Sequence, residues 1–406
     1  KTAFLGELVC SNSLKSVNLN NASGILKKEM EVGGSLILQA AVATQVAAGS
    51  ALAVDRDAMG QWVTKKVESH PLIELERTLV EELPSPPAII ATGPLTEGPL
   101  ADRLAEASGT PLYFYDAIAP IVETETVDAE RSFVASRWAW RDAEAGSEPN
   151  SGGDYINCPL NQDEYEEFVT ELLQAEKVPP REFEEPRYFE GCLPIEIMAA
   201  RGLDVLRHGP MRPVGLKDPK TGRRPYAVLQ LRAENRHGSA HNLVGFQTRL
   251  KYGEQKRVFS KIPALRNARF LRLGSIHRNT YLRAPQCLDE GFVLKGSPGI
   301  RVTGLLSGVE GYVESLAMGW LAGVLTAATL AGRTLSPPPV ATATGSLYAY
   351  LRRPLMDDQP FTPTNMNMSL LPPADTKGKK ASKKERRLMV GQRAVSDFTQ
   401  WLNQEG

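Results

Sequence analysis

One strand-turn-helix pattern constrains the fold of this chain more than any other feature of its sequence. The short apolar run from Ala88 to Ala91 leads directly into Thr92-Gly93-Pro94, and a helical pattern follows from Gly98 to Ala107. A buried strand that ends in a Gly-Pro turn before a helix is typical of an α/β sheet. The pattern returns from Gly299 to Gly304, before a long helix of small residues. The sequence therefore predicts an α/β fold.

The stretch between these two parts has a different pattern, with helices predicted from Gln162 to Ala175 and from Pro194 to Arg201, and strands from Tyr226 to Arg232 and from Asn242 to Gln247. A polar loop rich in Gly and Ser, residues 142–154, precedes it. We therefore predict an inserted α+β domain at residues 155–272. A discontinuous α/β domain at 1–154 and 273–371 and a helical tail at 372–406 complete the chain.

Length and charge limit the classes of function. At 406 residues the chain exceeds the size at which one hydrophobic core stops growing, so two domains are expected. With 47 basic and 47 acidic residues the formal charge is zero, and a nucleic-acid partner needs a local basic patch. Four cysteines are too few for a disulfide scaffold and indicate a reducing compartment, the cytoplasm.

Apolar spacing also predicts helices near the start of the chain. One runs from Gly24 to Ala48 with an interruption at Gly33-Gly34, and another runs from an N-cap at Asp55 toward Ser69. The uncharged run from Ser315 to Gly332 has the length of a membrane span, but it consists largely of Ala, Gly, Ser and Thr. This composition favours a buried helix with close backbone contacts.

Cys192 has the sequence setting of a reactive thiol. It precedes Pro194 and Glu196, which suit the first turn of a helix. The positive end of a helix dipole and the unpaired N–H groups there stabilise a thiolate. A buried structural cysteine at a turn explains the same pattern equally well.

The other cysteines differ in their neighbours. Cys10 lies where the apolar run Leu8-Val9 meets a polar cluster, which again indicates a junction between a strand and a helix. Cys158 and Cys287 lack such a setting, and we interpret them as structural. No Cys-x-x-Cys pair is present and the five histidines are scattered, so we predict no metal site.

His277, Arg278 and Asn279 follow an apolar run and are placed at a predicted strand end, where α/β proteins bind ligands. Further on, three glycines open the long helix, which is predicted to begin at Val309. A helix N-terminus after a strand suits a phosphate or a flavin. Close packing of helix and sheet through glycine is an equally good explanation. The glycines are Gly304, Gly308 and Gly311.

A dense basic run from Lys377 to Arg387 is the most charged segment of the predicted tail. A solvated face of a helix is the simpler explanation for such a run. An arm that contacts phosphates is the alternative.

Taken together, eight segments resemble one family, the folate- and FAD-dependent tRNA (uracil-5-)-methyltransferases (TrmFO). The resemblance runs in order from Leu8 into the basic tail. The related flavoprotein MnmG is longer and fits these motifs less well. The segments are 8–15 (LVCSNSLK), 51–56 (ALAVDR), 155–159 (YINCP), 189–196 (FEGCLPIE), 209–216 (GPMRPVGL), 244–248 (VGFQT), 277–280 (HRNT) and 308–315 (GVEGYVES).

The resemblance implies methylation of uracil C5, forming 5-methyluridine at position 54 in the T loop of tRNA. Uracil C5 becomes nucleophilic when a thiolate adds at C6, and it then attacks a one-carbon unit from 5,10-methylenetetrahydrofolate. A base removes the C5 proton, and reduced FAD supplies electrons that convert methylene to methyl. Cys192 is then the expected nucleophile and Cys10 the expected proton acceptor, although the two roles can be exchanged.

The same resemblance implies binding roles for further residues. His277 would lie against the folate pteridine, and NADH or NADPH would deliver the electrons. The residues expected to bind FAD and folate are Thr92, Gly93, His277, Arg278, Asn279, Gly304, Gly308, Glu310 and Gly311. Those expected to hold phosphates of the tRNA T-arm are Arg212, Arg223, Arg224, Lys379, Lys380, Lys383 and Lys384.

Two departures from the family pattern keep other hypotheses open. The family's first strand and its Gly-x-Gly-x-x-Gly turn, which holds the FAD pyrophosphate, have no counterpart before Leu8. We expect either a shortened sequence or a Rossmann-like FAD-binding domain without its N-terminal βαβ unit. Leu305 stands where the family has Gln close to the flavin. The alternatives are an RNA-binding protein without flavin chemistry, or the same reaction on a ribosomal RNA uridine.

Overall fold

Two hydrophobic cores organise the chain. The computed structural model describes residues 2–8, 11–109, 112–137, 153–179, 193–355, 361–375 and 381–405, with the backbone alone at 112–116, 277 and 278. The first core draws residues from Leu8 to Trp401, near both ends of the described chain. The second lies within the segment from Val122 to Leu265. The chain therefore builds one unit, leaves it for the second, and returns.

The elements are numbered in chain order. The strands are β1 (Ser13–Ser16), β2 (Gln45–Val46), β3 (Ala51–Val54), β4 (Ala88–Ile90), β5 (Leu112–Ala117), β6 (Ile121–Glu123), β7 (Phe133–Val134), β8 (Tyr155–Leu160), β9 (Ala227–Ala233), β10 (Ala240–Leu243), β11 (Phe270–Arg272), β12 (Ile276–Tyr281) and β13 (Ile300–Val302). The α-helices are α1 (Ala22–Val32), α2 (Leu36–Ala43), α3 (Arg56–Glu68), α4 (Pro99–Ser108), α5 (Gln162–Gln174), α6 (Ile195–Ala199), α7 (Val205–His208), α8 (Tyr252–Phe259), α9 (Ala284–Cys287), α10 (Tyr312–Leu330), α11 (Ala343–Arg352) and α12 (Lys383–Glu405).

The first unit is built around α10. Ala317, Leu321 and Ala322 of this helix are fully buried, and α10 packs against α1 and α11. By length and composition α10 is also apolar enough to cross a membrane, and its small residues were expected to mark a buried helix. Helix α12 packs on α1, where a Cβ at Gly391 would lie 3.2 Å from a side-chain carbon of Ile25 and 2.2 Å from the carbonyl oxygen of Leu19 just before α1.

Strands β4 and β13, which lie in the two stretches of predicted α/β pattern, pair in parallel. Ala88 lies opposite Ile300, and Ile90 lies opposite Val302. Strand β5 does not join them, because it pairs antiparallel with β12. Strands β1, β3 and β2 form a third, antiparallel sheet.

The second unit is a six-stranded antiparallel sheet in the order β11-β6-β10-β9-β8-β7, with helices packed on it. Phe168 of α5 stacks on Phe246 with ring centroids 5.8 Å apart, and Phe246 contacts Phe259 of α8. Strands β6 and β7 belong to this sheet although they precede Tyr155.

Local capping explains where two of the predicted helices begin. The Asp55 side chain accepts a hydrogen bond from the Ala58 N–H over 3.0 Å at the start of α3, as its N-cap position predicts. Asn161 and Glu164 form a reciprocal capping box at the start of α5. Both helices lie where the apolar spacing predicts them.

Three predicted elements end or begin elsewhere. The strand expected from Asn242 to Gln247 is β10, and it stops at Leu243 because Gly245 turns the chain with φ +78°. The helix expected from Val309 begins at Tyr312, because the backbone of Gly311, with φ +109°, is not helical. The first long helix divides into α1 and α2 where Ser35 caps the second.

Candidate active site

The turns after β4 and β13 lie side by side at one edge of the parallel pair. Thr303 N–H donates to the Ile90 carbonyl over 3.0 Å, so the chain leaves both strands at the same level. Thr92-Gly93 follows β4, and Gly304 follows β13. The structure therefore brings these predicted cofactor-binding residues together at the carboxyl ends of parallel strands, where α/β proteins bind ligands.

This edge fits a ligand that approaches the backbone closely. Gly93 has φ +82°, and no atom lies within 4 Å of the position a Cβ would take. Gly304 has φ +69°, and the nearest atom to its would-be Cβ is Ser315 Cβ at 3.7 Å. The Thr303 hydroxyl is buried and has no hydrogen-bond partner among the described residues. An open backbone and an unsatisfied buried hydroxyl together suit a polar cofactor such as FAD.

Gly308 and Gly311 have a different role, set by packing. A Cβ at Gly308, where φ is +88°, would lie 2.4 Å from a ring carbon of Phe361. Gly311 precedes α10 with φ +109°, and a Cβ there would lie 2.3 Å from Oε2 of Glu314. Both positions therefore require glycine for backbone geometry and close contact.

A buried charge cluster surrounds the start of α10. Glu314 is fully buried, and its Oε1 accepts from Lys15 Nζ over 3.2 Å and from Met366 N–H over 3.0 Å. Its Oε2 has no hydrogen-bond partner within the described part of the chain. Lys27 Nζ donates to the Leu14 carbonyl nearby, and burial lowers the pKa of Lys27 to about 8. Lys15 and Glu314 both belong to the family-like segments, so that resemblance was the available signal.

Strand β12 connects this edge to the rest of the site. Thr280 N–H donates to the Pro94 carbonyl, and Thr280 Oγ1 donates to the Thr96 carbonyl, each over 2.9 Å. Leu282 N–H donates to the Leu306 carbonyl over 2.7 Å. The end of β12 is thus bonded to both turns. The strand carries His277 and Arg278, whose backbone alone is described, and the buried Asn279. The prediction that these three residues lie at a strand end is wrong, because β12 runs on to Tyr281.

The opposite end of β12 reaches a small cavity. Ile276 pairs with Ala117, and Ile118 N–H donates to the Ser275 carbonyl over 2.8 Å. The cavity has a volume of about 100 Å³. It is lined by Ser11, Ala117, Ala119, Arg232, Asn242, Val244, Gly245 and Gln247. At about 3.3 Å per residue, β12 spans roughly 17 Å between the cavity and the cofactor edge.

Arg232 is the charged side chain of the cavity wall. It is 7% exposed, and its Nε donates to Asn12 Oδ1 over 3.0 Å while Nη2 donates to Ser11 Oγ over 2.9 Å. Asn12 is itself fixed, because its Nδ2 donates to the Val54 and Ala233 carbonyls, each over 2.9 Å. These bonds join the second unit to the first at the cavity.

Both predicted catalytic cysteines, Cys10 and Cys192, lie outside the described residues. Described residues close to them in sequence do meet at the cavity. Ser11 lines it, and Ile195 N–H donates over 2.7 Å to the carbonyl of Gln247, which also lines it.

Helix α6 is held against this wall by the buried Glu196. The carboxylate accepts from Thr248 Oγ1 over 2.9 Å and from Arg249 N–H over 3.0 Å. Burial raises the pKa of Glu196, and these hydrogen bonds oppose the shift. The segment that follows Cys192 in sequence is therefore fixed from Ile195 onward.

The other two cysteines are buried, in agreement with their structural interpretation. Burial raises the pKa of Cys158 far above that of a free thiol and raises the pKa of Cys287 to about 12. Neither is a thiolate near neutral pH. Over the described ranges, no group of three or more His, Cys, Asp or Glu residues is placed to hold a metal ion.

The predicted phosphate-binding residues occupy two places. Arg212, Arg223 and Arg224 are exposed on the second unit. Lys383 and Lys384 are exposed in the first turn of α12, on the first unit, and Lys379 and Lys380 lie outside the described residues.

Sequence reasoning missed Arg137, Arg232 and the two amides of the cavity, Asn242 and Gln247. Arg137 donates to Gln230 Oε1 and to the Val214 carbonyl. Its pKa falls to about 10, chiefly through burial and then through the positive charge of Arg212. Only Gln247 lies in a family-like segment, so for the others the sequence offered no signal.

Comparison with known proteins shows a family. The description "Glucose inhibited division protein A" belongs to the family profile that matches residues 1–334. A methylenetetrahydrofolate–tRNA-(uracil-5-)-methyltransferase TrmFO from Geobacter sulfurreducens is 51% identical over 98% of this chain and 89% of its own length. The enzyme of that name from Syntrophotalea carbinolica is 48% identical over 99% of this chain and 85% of its own length.

The fold comparison agrees with the sequence comparison. Aquifex aeolicus GidA superimposes with a TM-score of 0.67 at 12% identity, over 98% of this chain and 68% of that one. The α/β, Rossmann-like fold predicted from the sequence is confirmed by this likeness. The chain therefore belongs to the glucose inhibited division protein A family and, within it, to the TrmFO proteins.

Proposed function

We propose that this chain is a methylenetetrahydrofolate-dependent tRNA (uracil-5-)-methyltransferase that forms 5-methyluridine in the T arm. It takes a one-carbon unit from the folate and electrons from reduced FAD. The relatives, at 51% and 48% identity along nearly the whole chain, support the activity. The observation that carries the proposal is β12, which connects the open turns after β4 and β13 to a small polar cavity.

The edge after β4 and β13 is the proposed FAD site. Thr92, Gly93 and Gly304 leave open backbone there, and Thr303 offers its unsatisfied hydroxyl. When bound, FAD supplies the electrons that reduce the transferred methylene to methyl. Glu310, Gly308 and Gly311 shape the chain at the start of α10 beside this edge. Leu305 packs against the first core and adds no polar group, so its side chain does not supply the hydrogen bond expected from the family's Gln.

The cavity is the proposed site of the target base. A uridine must leave its stack before chemistry can occur at C5 and C6, and a polar pocket suits a base that has flipped out. The amides of Asn242 and Gln247 and the guanidinium of Arg232 match the carbonyl and N–H groups of uracil.

Two thiols are proposed to perform the covalent chemistry. Cys192 adds to C6, and Cys10 accepts the proton from C5, with the roles exchangeable. Support comes from the family-like segments around both residues and from Ser11 and Gln247, which bring the neighbouring segments to the cavity. His277, Arg278 and Asn279 on β12 are proposed to bind the folate between cavity and flavin.

The exposed basic residues are proposed to hold the tRNA. Arg212, Arg223 and Arg224 are exposed on the second unit and present positive charge there. Lys379, Lys380, Lys383 and Lys384 are proposed to add phosphate contacts from the tail. NADH or NADPH is the proposed electron source, in the cytoplasm.

The division into 1–154 with 273–371, 155–272 and 372–406 remains a proposal. Two observations bear on where its limits are drawn. Strands β6 and β7 extend the inserted sheet back to Ile121, and α12 adds Phe398 and Trp401 to the first core.

Nucleoside analysis tests the proposed function. The purified chain is supplied with FAD, NADPH or NADH, 5,10-methylenetetrahydrofolate and either a tRNA transcript or a ribosomal RNA fragment. We expect flavin absorbance in the protein and 5-methyluridine in the tRNA alone. Methylation of the ribosomal RNA fragment alone would show that the substrate is ribosomal RNA and not tRNA. Binding of tRNA without flavin absorbance or product would favour the RNA-binding alternative.

A further inference from the structure

We propose that Arg137 and Arg212 form an anion site for the 5′ phosphate of the target nucleotide, beside the cavity that holds its base. The inference rests on the proposed function and adds to it one specific phosphate contact. It begins from one face of the six-stranded sheet. Strands β8 and β9 place Asn157 opposite Gln230 there, and Gln230 Nε2 donates to Asn157 Oδ1 over 2.9 Å.

Arg137 lies on this face and is held there by neutral groups. Its Nε donates to Gln230 Oε1 over 2.9 Å, and its Nη1 donates to the Val214 carbonyl over 2.7 Å. Among the described residues its Nη2 has no acceptor, and no carboxylate pairs with the guanidinium. The side chain is half-buried. A guanidinium that is partly removed from water without a countercharge is stabilised by an anion.

Arg212 supplies a second positive charge close to the first. Val228 N–H donates to the Met211 carbonyl over 3.0 Å, so residues 211–214 lie along the start of β9. The Arg212 side chain is exposed and has no hydrogen bond or ion pair with the described residues. After burial, its charge is the next largest cause of the lowered pKa of Arg137. A phosphate stabilises two such guanidinium groups at once, because its oxygens accept from both.

The carboxylate of Asp154 lies near this site but is used elsewhere. Its Oδ2 accepts from the hydroxyl of Ser136, the residue before Arg137, and its N–H donates to that hydroxyl over 2.9 Å. In the part of the chain that the structure describes, no ion pair joins Asp154 to Arg137 or Arg212. The two arginines therefore keep their positive charge available to a ligand.

The anion site lies next to the cavity along β9. Side chains of a strand alternate between its two faces, so Gln230 and Arg232 point to the same side, about 7 Å apart. Arg137 is bonded to Gln230, and Arg232 lines the cavity. The sugar of one nucleotide can span this distance, with the base in the cavity and the phosphate on the two arginines. The contact would then position a uridine that has left its stack.

Neutralising one phosphate tests the contact with the FAD-loaded chain. The tRNA is assembled by ligation with a methylphosphonate, which carries no charge, in place of the phosphate 5′ to the target uridine. We expect this change and Arg137→Gln each to weaken tRNA binding by about ten- to a hundredfold, because each removes a charge-assisted contact. Combined, they should weaken it no further than either alone, since both remove the same interaction. Arg137→Gln and a methylphosphonate in the acceptor stem should instead have additive effects.

Two further variants complete the experiment. Arg266→Gln, at an exposed position of the same unit, is the matched control, and its effect should add to that of the 5′ methylphosphonate. Arg212→Gln changes an exposed side chain, so it covers the case in which Arg137→Gln does not fold, and it should repeat the loss of additivity. Additive effects of Arg137→Gln or Arg212→Gln with the 5′ methylphosphonate would overturn the anion site. An unmodified chain that neither binds nor methylates the natural tRNA would overturn the proposed function itself.

Discussion

Arg232 Nη2 donates to Ser11 Oγ over 2.9 Å, although 221 positions separate the two residues. The bond joins the end of β9 in the second unit to the segment before β1 in the first. Asn12 adds two more bonds across the same boundary. The cavity is therefore a product of the assembled units, and its wall forms only when both have folded.

The buried carboxylate of Glu29 should contribute strongly to the stability of the first unit. It accepts from Ala343 N–H over 2.7 Å, from Thr344 N–H over 2.8 Å and from Thr344 Oγ1 over 2.7 Å, at the start of α11. Glu29→Ala leaves these donors without an acceptor and should lower the free energy of unfolding by about 1–3 kcal/mol.

Urea unfolding at pH 5.5 and at pH 8 tests the Glu29→Ala prediction. Burial raises the pKa of Glu29 to about 7, so ionisation of Glu29 costs the folded chain stability above that pH, and the loss caused by Glu29→Ala should be larger at pH 5.5 than at pH 8. Glu31→Ala, at an exposed position of the same helix, should change the stability by less than about 0.5 kcal/mol. Equal effects of the two substitutions would show that the hydrogen bonds between Glu29 and the start of α11 contribute little to stability.

His241 should make the second unit sensitive to acid. It is buried beside Thr124, with Nδ1 2.8 Å from Oγ1, and burial lowers its pKa from 6.5 to about 4. Between those pH values the unfolded chain binds a proton that the folded chain does not. The free energy of unfolding therefore falls as pH falls through this range, by up to about 3 kcal/mol at pH 4.

The histidine contribution appears as a difference between variants. His241→Gln removes the titration, so the stability gap between it and the unmodified chain should shrink by about 2 kcal/mol from pH 7.5 to pH 5. His208→Gln, at an exposed site, is the matched control. A gap that is constant with pH would contradict the assignment.

Gly308 should tolerate no side chain. Its φ of +88° and the 2.4 Å approach of a Cβ to Phe361 predict that Gly308→Ala destabilises the first unit by about 2–4 kcal/mol. Gly323→Ala is the matched control, because Gly323 lies within α10 with no atom within 4 Å of its would-be Cβ. That variant should be neutral or more stable by up to about 1 kcal/mol, as thermal unfolding would show.

The three exposed arginines of the second unit should carry part of the tRNA affinity. Changing Arg212, Arg223 and Arg224 to Gln should weaken tRNA binding and make it less dependent on salt. The slope of log binding constant against log salt concentration should become less negative by about 0.7–0.9 for each phosphate that the variant no longer neutralises. A control that changes Lys251, Lys261 and Arg266 removes the same charge, but its two lysines are ion-paired with Glu176 and Glu167. If both triple variants had the same salt slope, these arginines would not contact phosphate.

Local patterns predicted much of the fold. Asp55 caps α3 and the run after Gly299 forms β13, because capping and apolar spacing depend on neighbours in the chain. The predicted end of β10 was wrong, because the chain turns at Gly245 and packs there on Pro210. A Cβ at Gly245 would lie 2.5 Å from the Cβ of Pro210. A contact over that sequence distance leaves no local signal.

The candidate site was predicted only in part. Thr92-Gly93 and Gly304 could be recognised as strand-end turns, and their meeting follows from parallel pairing. In the sequence Arg232 is an ordinary residue of a predicted strand. Its place in the cavity wall depends on hydrogen bonds to Ser11 and Asn12, which belong to the other unit. Long-range polar contacts of this kind follow from the assembled fold and not from spacing.

The central claim is that this chain methylates uracil C5 of tRNA through a thiol at Cys192. The most direct measurement compares 5-methyluridine formation by the unmodified chain, Cys192→Ala and Cys287→Ala, each loaded with FAD and supplied with methylenetetrahydrofolate and reductant. We predict product from the unmodified chain and from Cys287→Ala, and none from Cys192→Ala with its flavin absorbance intact. Full activity of Cys192→Ala, or no product from an unmodified chain that carries flavin, would contradict the account.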